Sequence, residues 1–118
     1  GEMIKRYSVL IIMLILLFSI SGCQNDVNDN RDNQVVAQPV IIALTEYQQQ
    51  NNDEYPQDLN DLVPDYLTAL PKTTRGEEFQ YYPDENEGYY LCFGIGTKGK
   101  YGCCYNQRLA SWDCTNGD

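Results

Sequence analysis

Apolar residues follow three different rhythms along this chain, separated by stretches that have almost none. Val9 to Ile20 is an apolar run broken only by Ser19, and Lys5-Arg6 place positive charge ahead of it. Gln24 to Gln34 is the opposite, with Asn or Asp at seven of eleven positions and Val27 as its one apolar residue. Such a segment has nothing to bury and reads as a flexible polar tether. From Val35 the rhythm becomes helical: Val40, Ile41, Leu44 and Tyr47 recur at three- and four-residue spacing. Pro39 suits the first turn of that helix, and Asn51-Asn52-Asp53 fray its end near Asn52. After the Tyr55-Pro56 turn, Asp58 is placed to cap a short helical segment carrying Leu59, Leu62 and Val63, which Pro64 stops. Tyr66, Leu67 and Leu70 then pin a loop before Pro71.

Beyond Pro71 the period changes to two. Glu78–Tyr82 and Tyr89–Gly94 read as strands joined by the turn-rich Pro83–Gly88. Tyr89, Leu91 and Phe93 share one face, and Tyr90 and Cys92 the other. Gly94, Gly96 and Gly99 loosen the next connection, and a hairpin of about 101–106 with 110–115 completes the sheet. The expected fold class is α+β: one N-terminal helix and a short helical turn packed on a small antiparallel sheet of about four strands. The expected organisation is a leader at 3–22, Cys23 with a tether to residue 34, and a folded domain at 35–118.

Charge and composition narrow the function. Eight Lys and Arg stand against 17 Asp and Glu, a formal net charge of −9, and there is no histidine in 118 residues. An acidic chain lacks the basic face that nucleic acid requires. Ser-His-Asp, Cys-His and imidazole-ligated metal chemistry are excluded outright. Glu77-Glu78 and Asp84-Glu85-Glu87 fall at strand ends and turns, where carboxylates are ordinarily solvated. No spacing sets two of them across a substrate. The expected protein is not an enzyme.

The first apolar run is too short to cross a bilayer. Twelve helical residues reach roughly 18 Å against a ~30 Å hydrocarbon core, so the run, with its charged start, reads as a secretory signal. Its ending, Ile20-Ser21-Gly22-Cys23, resembles the lipobox of bacterial lipoproteins. The resemblance implies cleavage before Cys23, a diacylglycerol on its sulfur and an acylated amine. A pilin-type leader does not fit, because Arg6 stands where that signal carries glutamate. Gln24 after the lipidated cysteine favours the outer membrane over the inner, where a bacterium has both. A flexible tether of eleven residues would hold the domain about 20 Å from the lipid.

Cysteine parity agrees. Cysteines 92, 103, 104 and 114 form an even set once Cys23 is acylated, and outside the cytoplasm four cysteines read as two disulfides. Joining adjacent Cys103 and Cys104 strains the ring they would close. An antiparallel register that opposes Cys103 to Cys114 also opposes Tyr105 to Trp112, so one hairpin satisfies a disulfide and an aromatic pair together. The expected bridges are Cys103–Cys114 and, by elimination, Cys92–Cys104. A thiolate metal site lacks any C-x-x-C spacing, and no metal or cofactor is expected.

The run Val40–Phe93 resembles the globular half of type IV pilin-like proteins, especially the major pseudopilins of type II secretion. The resemblance rests on Tyr47, on Tyr55-Pro56, on Leu59-Asn60-Asp61-Leu62-Val63-Pro64, on Tyr66-Leu67-Thr68-Ala69-Leu70-Pro71 and on Gly76-Glu77-Glu78-Phe79-Gln80-Tyr81. It implies a pilin-like domain without the N-terminal assembly helix, hence a binding or scaffold module or, alternatively, an accessory of a secretion or pilus machine. Ser111-Trp112-Asp113 is similar to the acidic end of pseudopilins, whose loop ligates calcium; here cysteines replace that loop. The expected partners are the membrane, through Cys23, and another envelope protein or wall component. The candidate docking surface is the sheet face away from the helix, carrying Tyr82, Tyr90 and Tyr101.

Overall fold

In the computed structural model, which describes residues 26–86, 88–96 and 101–114, helix α1 (Asp26–Gln50) packs on a four-stranded antiparallel sheet. The strands are β1 (Gln80–Asp84), β2 (Gly88–Phe93), β3 (Cys103–Asn106) and β4 (Ser111–Cys114), each hydrogen-bonded to the next in chain order. A single 3-10 turn (Leu59–Leu62) lies between helix and sheet in sequence, capped by Asp58, whose carboxylate accepts from the Asn60 N–H at 2.8 Å. This is the expected α+β architecture. The leader and Cys23 lie outside the described residues. No helix among the described residues is long and apolar enough to cross a membrane.

The core is where the two periodicities meet. Ala37, Val40, Ile41, Ala43 and Leu44 of α1 face Leu59 and Leu62 of the 3-10 turn, Phe79, and Tyr89, Leu91 and Phe93 of β2. Strand alternation delivers the last three to the helix side together. The sheet registers place Cys103 opposite Cys114 and Tyr105 opposite Trp112, and also Cys92 opposite Cys104. Disulfides close at both cysteine pairs, Cys92–Cys104 and Cys103–Cys114. One bridge lies on each face of the sheet, because Cys103 and Cys104 are neighbours on β3 and point opposite ways.

Two expectations about the helix are corrected. Residues 26–34, read as tether, are the first turns of α1, and Pro39 lies inside the helix. The buried stripe Ala37, Val40, Leu44 continues upstream at helical spacing as Asn33 and Asn30, which are 0% and 4% exposed. Polar side chains occupy core positions there because the structure satisfies them. The Asn30 amide oxygen accepts from the Gly102 N–H at 2.8 Å, and that of Asn33 accepts from the Thr74 N–H at 2.8 Å. The Asn33 amide also donates to the Thr74 hydroxyl at 3.1 Å and to the Tyr101 hydroxyl at 3.3 Å. Pro39 deprives the Val35 carbonyl of its helical donor. It is tolerated because both residues face solvent, where water takes the donor's place. At the other end Asn52 and Asp53 adopt left-handed backbone (φ 57° and 64°) and stop the helix.

Gly94, expected to loosen the β2–β3 connection, tightens it. Its φ is +71°, and a Cβ there would stand 2.5 Å from the Tyr101 ring and 2.9 Å from the Gly102 Cα. Only glycine lets the two ends of the connection approach so closely.

Candidate binding surface

Register decides which tyrosines share a surface. Tyr82 on β1 lies directly opposite Tyr90 on β2, and Tyr90 lies opposite Asn106 on β3. All three belong to the sheet face away from α1. Tyr82 is 49% exposed, and the Asn106 amide donates to the Tyr90 hydroxyl at 3.4 Å. The Cys92–Cys104 bridge sits beside Tyr90 on the same face and ties β2 to β3 beneath it. The result is a polar-rimmed aromatic ledge on a cross-linked backbone.

Tyr101 does not belong to it. It is 1% exposed, lies on the helix side, and packs its ring against Phe93 at 5.6 Å. The Arg75 guanidinium covers its face at 3.8 Å and pairs with Asp29 at 2.8 Å. Arg75, Asp29, Asn33, Asn30 and Tyr101 therefore form a clamp that fixes the start of α1 to the loop before β1 and the loop before β3. Sequence reading missed this clamp. The signal for it is the pair Asn30 and Asn33, in phase with the apolar stripe that follows.

Two hollows flank the sheet. One, of about 330 Å³, lies beside the 3-10 turn and is walled by Val40, Leu59, Leu70 and Phe79, with Lys72 and Glu78 at its rim. The other, of about 590 Å³, is walled by Asp53, Glu54, Asp84 and Glu85 among others. Among the described residues no three His, Cys, Asp or Glu side chains converge closely enough to hold a metal ion.

The tyrosines of the inner face have a different chemistry from the ledge. Tyr89 contacts both Tyr81 and Tyr55, its ring centroid 5.7 Å from that of Tyr81, tilted, and 5.0 Å from that of Tyr55, edge-on. Tyr81 donates its hydroxyl to the Pro56 carbonyl at 2.6 Å. Burial raises the pKa of Tyr81, with Tyr55, Tyr47 and Asp61 adding to it. Burial likewise raises Tyr89, with Tyr105, Tyr55 and Tyr81 adding, and raises Tyr55, with Tyr105 adding. These groups hold their protons more tightly folded than unfolded, so their contribution to stability is complete below the ordinary tyrosine value of 10.0. Above it the unfolded chain ionises first, and stability falls as pH rises. Denaturation midpoints should be flat up to about pH 9 and decline steeply past 10, with the tyrosinate absorbance of these three residues appearing together with unfolding. Tyrosinate signal from these three while the fold remains intact would contradict this.

No protein-family model, curated protein or solved structure matches this chain.

Proposed function

We propose that this protein is a non-catalytic, lipid-anchored envelope module that acts by binding, held at the membrane by acyl chains on Cys23. The observation that carries the reading is the fate of the cysteines. Four of the five are consumed by two disulfides, and the fifth is the one that closes Ile20-Ser21-Gly22-Cys23. Disulfides persist in oxidising compartments, and two or more acyl chains hold a protein stably on a bilayer. The ledge of Tyr82 and Tyr90 is the surface offered to a partner, an envelope protein or wall component, since rigid aromatic side chains with a polar tip favour interfaces. The outer membrane is the favoured location where there is one.

The test is the intact mass of protein extracted from membranes, read with its thiol content before and after reduction. The expected result is a chain beginning at Cys23, heavier by its acyl groups, with no reactive thiol until reduction exposes four. Cys23→Ser should keep the leader and lose the acyl mass. Native material with an unmodified leader and five reactive thiols defeats the reading.

A second reading, an accessory of a type II secretion or pilus machine, is favoured by the order of helix, Tyr55-Pro56 turn, 3-10 turn and hairpin. That is the order on which the resemblance to pseudopilins rests. Co-purification separates the two: pseudopilins recovered with the protein support the second, wall or surface components the first.

A further inference from the structure

The face of α1 turned away from the sheet is apolar at its centre and charged at its ends. Val35 and Ile42 are 69% and 51% exposed, with exposed Gln38 and Pro39 between them. Asn28 and Arg31 extend the same exposed face toward the N-terminus, and Glu46 and Gln49 toward the C-terminus. The side chains of Arg31 and Glu46 make no ion pair or hydrogen bond among the described residues.

We propose that this face pairs with the same face of a second copy, antiparallel, about a two-fold axis passing between Gln38 and Pro39. That one operator joins the apolar pair and the charged pair of the face at once. Val35 meets the partner's Ile42, Arg31 meets the partner's Glu46, and Asn28 meets the partner's Gln49. Each contact occurs twice, as an isologous interface requires. A parallel arrangement would oppose Arg31 to the partner's Arg31 and Glu46 to the partner's Glu46, so charge selects the antiparallel one. A single helix pair buries less than the ~1,000 Å² of a stable interface. The dimer is therefore weak and forms where copies are crowded together.

The test uses the full chain in its native membrane, with photo-activatable benzoylphenylalanine at Val35 and the cross-linked residue mapped by mass spectrometry. A dimer adduct on the partner's helix around Ile42 supports the proposal. An adduct around the partner's Val35, an adduct only with other molecules, or no adduct overturns it. Arg31→Glu and Glu46→Arg should each lower the dimer yield roughly fivefold or more, since each replaces two attractive pairs with two repulsive ones. Combining them restores the pairing with its signs exchanged, and the yield should return. Circular dichroism should be unchanged throughout, because both positions are exposed. Loss of dimer in both single variants without recovery in the double one would overturn the proposal even if the adduct forms.

Discussion

Replacing Tyr89 with alanine should destabilise the fold by about 3–5 kcal/mol, the range for truncating a fully buried aromatic side chain. Tyr89 is 1% exposed and stands at the centre of the helix-facing side of the sheet. Its ring meets Tyr55 edge-on at 5.0 Å, Tyr81 at 5.7 Å and Tyr105 at 6.1 Å. Two of these neighbours are themselves fixed: Tyr81 by its hydrogen bond to Pro56, and Tyr105 by its 5.4 Å contact with Trp112 across the β3–β4 pair. Rings fixed in this way cannot collapse into the space left behind, so the cavity term adds to the lost burial. Tyr89→Phe is the control. The Tyr89 hydroxyl makes no hydrogen bond among the described residues, so its loss should cost less than about 1 kcal/mol. Tyr90→Ala, one residue along on the opposite face, should also fall well below the Tyr89→Ala loss. Urea midpoints at unchanged slope measure all three. A Tyr89→Ala loss no greater than that of Tyr90→Ala would mean the core is centred elsewhere.

The second large effect concerns the bridge between β3 and β4. Substituting Cys103 and Cys114 together by alanine should cost about 3 kcal/mol on loop-closure grounds, given a sequence separation of 11. The Cys92–Cys104 bridge closes a loop of nearly equal length, with a separation of 12, so the entropic terms match. What differs is the structure each bridge supports. β2 and β3 remain joined through the core when Cys92–Cys104 is removed, because Leu91, Phe93 and Tyr89 stay buried against α1. β4 has four residues, pairs among the described residues only with β3, and is held otherwise through half-buried Trp112, which touches Phe93 and Tyr105. Gln34 of α1 donates to the Cys114 sulfur at 3.5 Å, so the bridge also links β4 to the helix. Amide exchange across Ser111–Cys114 should therefore rise to that of exposed chain in the Cys103/Cys114 variant and change little in the Cys92/Cys104 variant. Equal protection of β4 in both would show that Trp112 alone holds it.

The sheet was readable because its alternation is unbroken. Tyr89, Leu91 and Phe93 declare one face, and the match of 103 with 114 and 105 with 112 sets the last register without any long-range information. The 3-10 turn was readable from Asp58 and Pro64, a cap and a stop on either side of Leu59, Leu62 and Val63. The start of the helix was not, since Asn30 and Asn33 occupy core positions in polar form. Their partners, the Thr74 and Gly102 amides, lie 41 and 72 residues away. Composition counts such side chains as solvent-loving, and only tertiary structure shows them satisfied. Tyr101 escaped for the same reason: Asn33 and Arg75, which cover it, come from elements distant in sequence. On the candidate surface, Tyr82 and Tyr90 fall together by register, while the expected third member belongs to the interior.

Because α1 already includes Asp26, the helix lies no more than three peptide steps from Cys23. On the lipid-anchored reading those steps span at most about 10 Å of contour, half the standoff a floppy segment of eleven residues would give. A body carrying ten excess negative charges, once the leader's Glu2, Lys5 and Arg6 are removed, would then ride within about one screening length, ~8 Å, of the headgroups. Its posture on the bilayer would respond to anionic lipid, ionic strength and divalent cations, and whatever it captures must come down to the membrane's surface to be met.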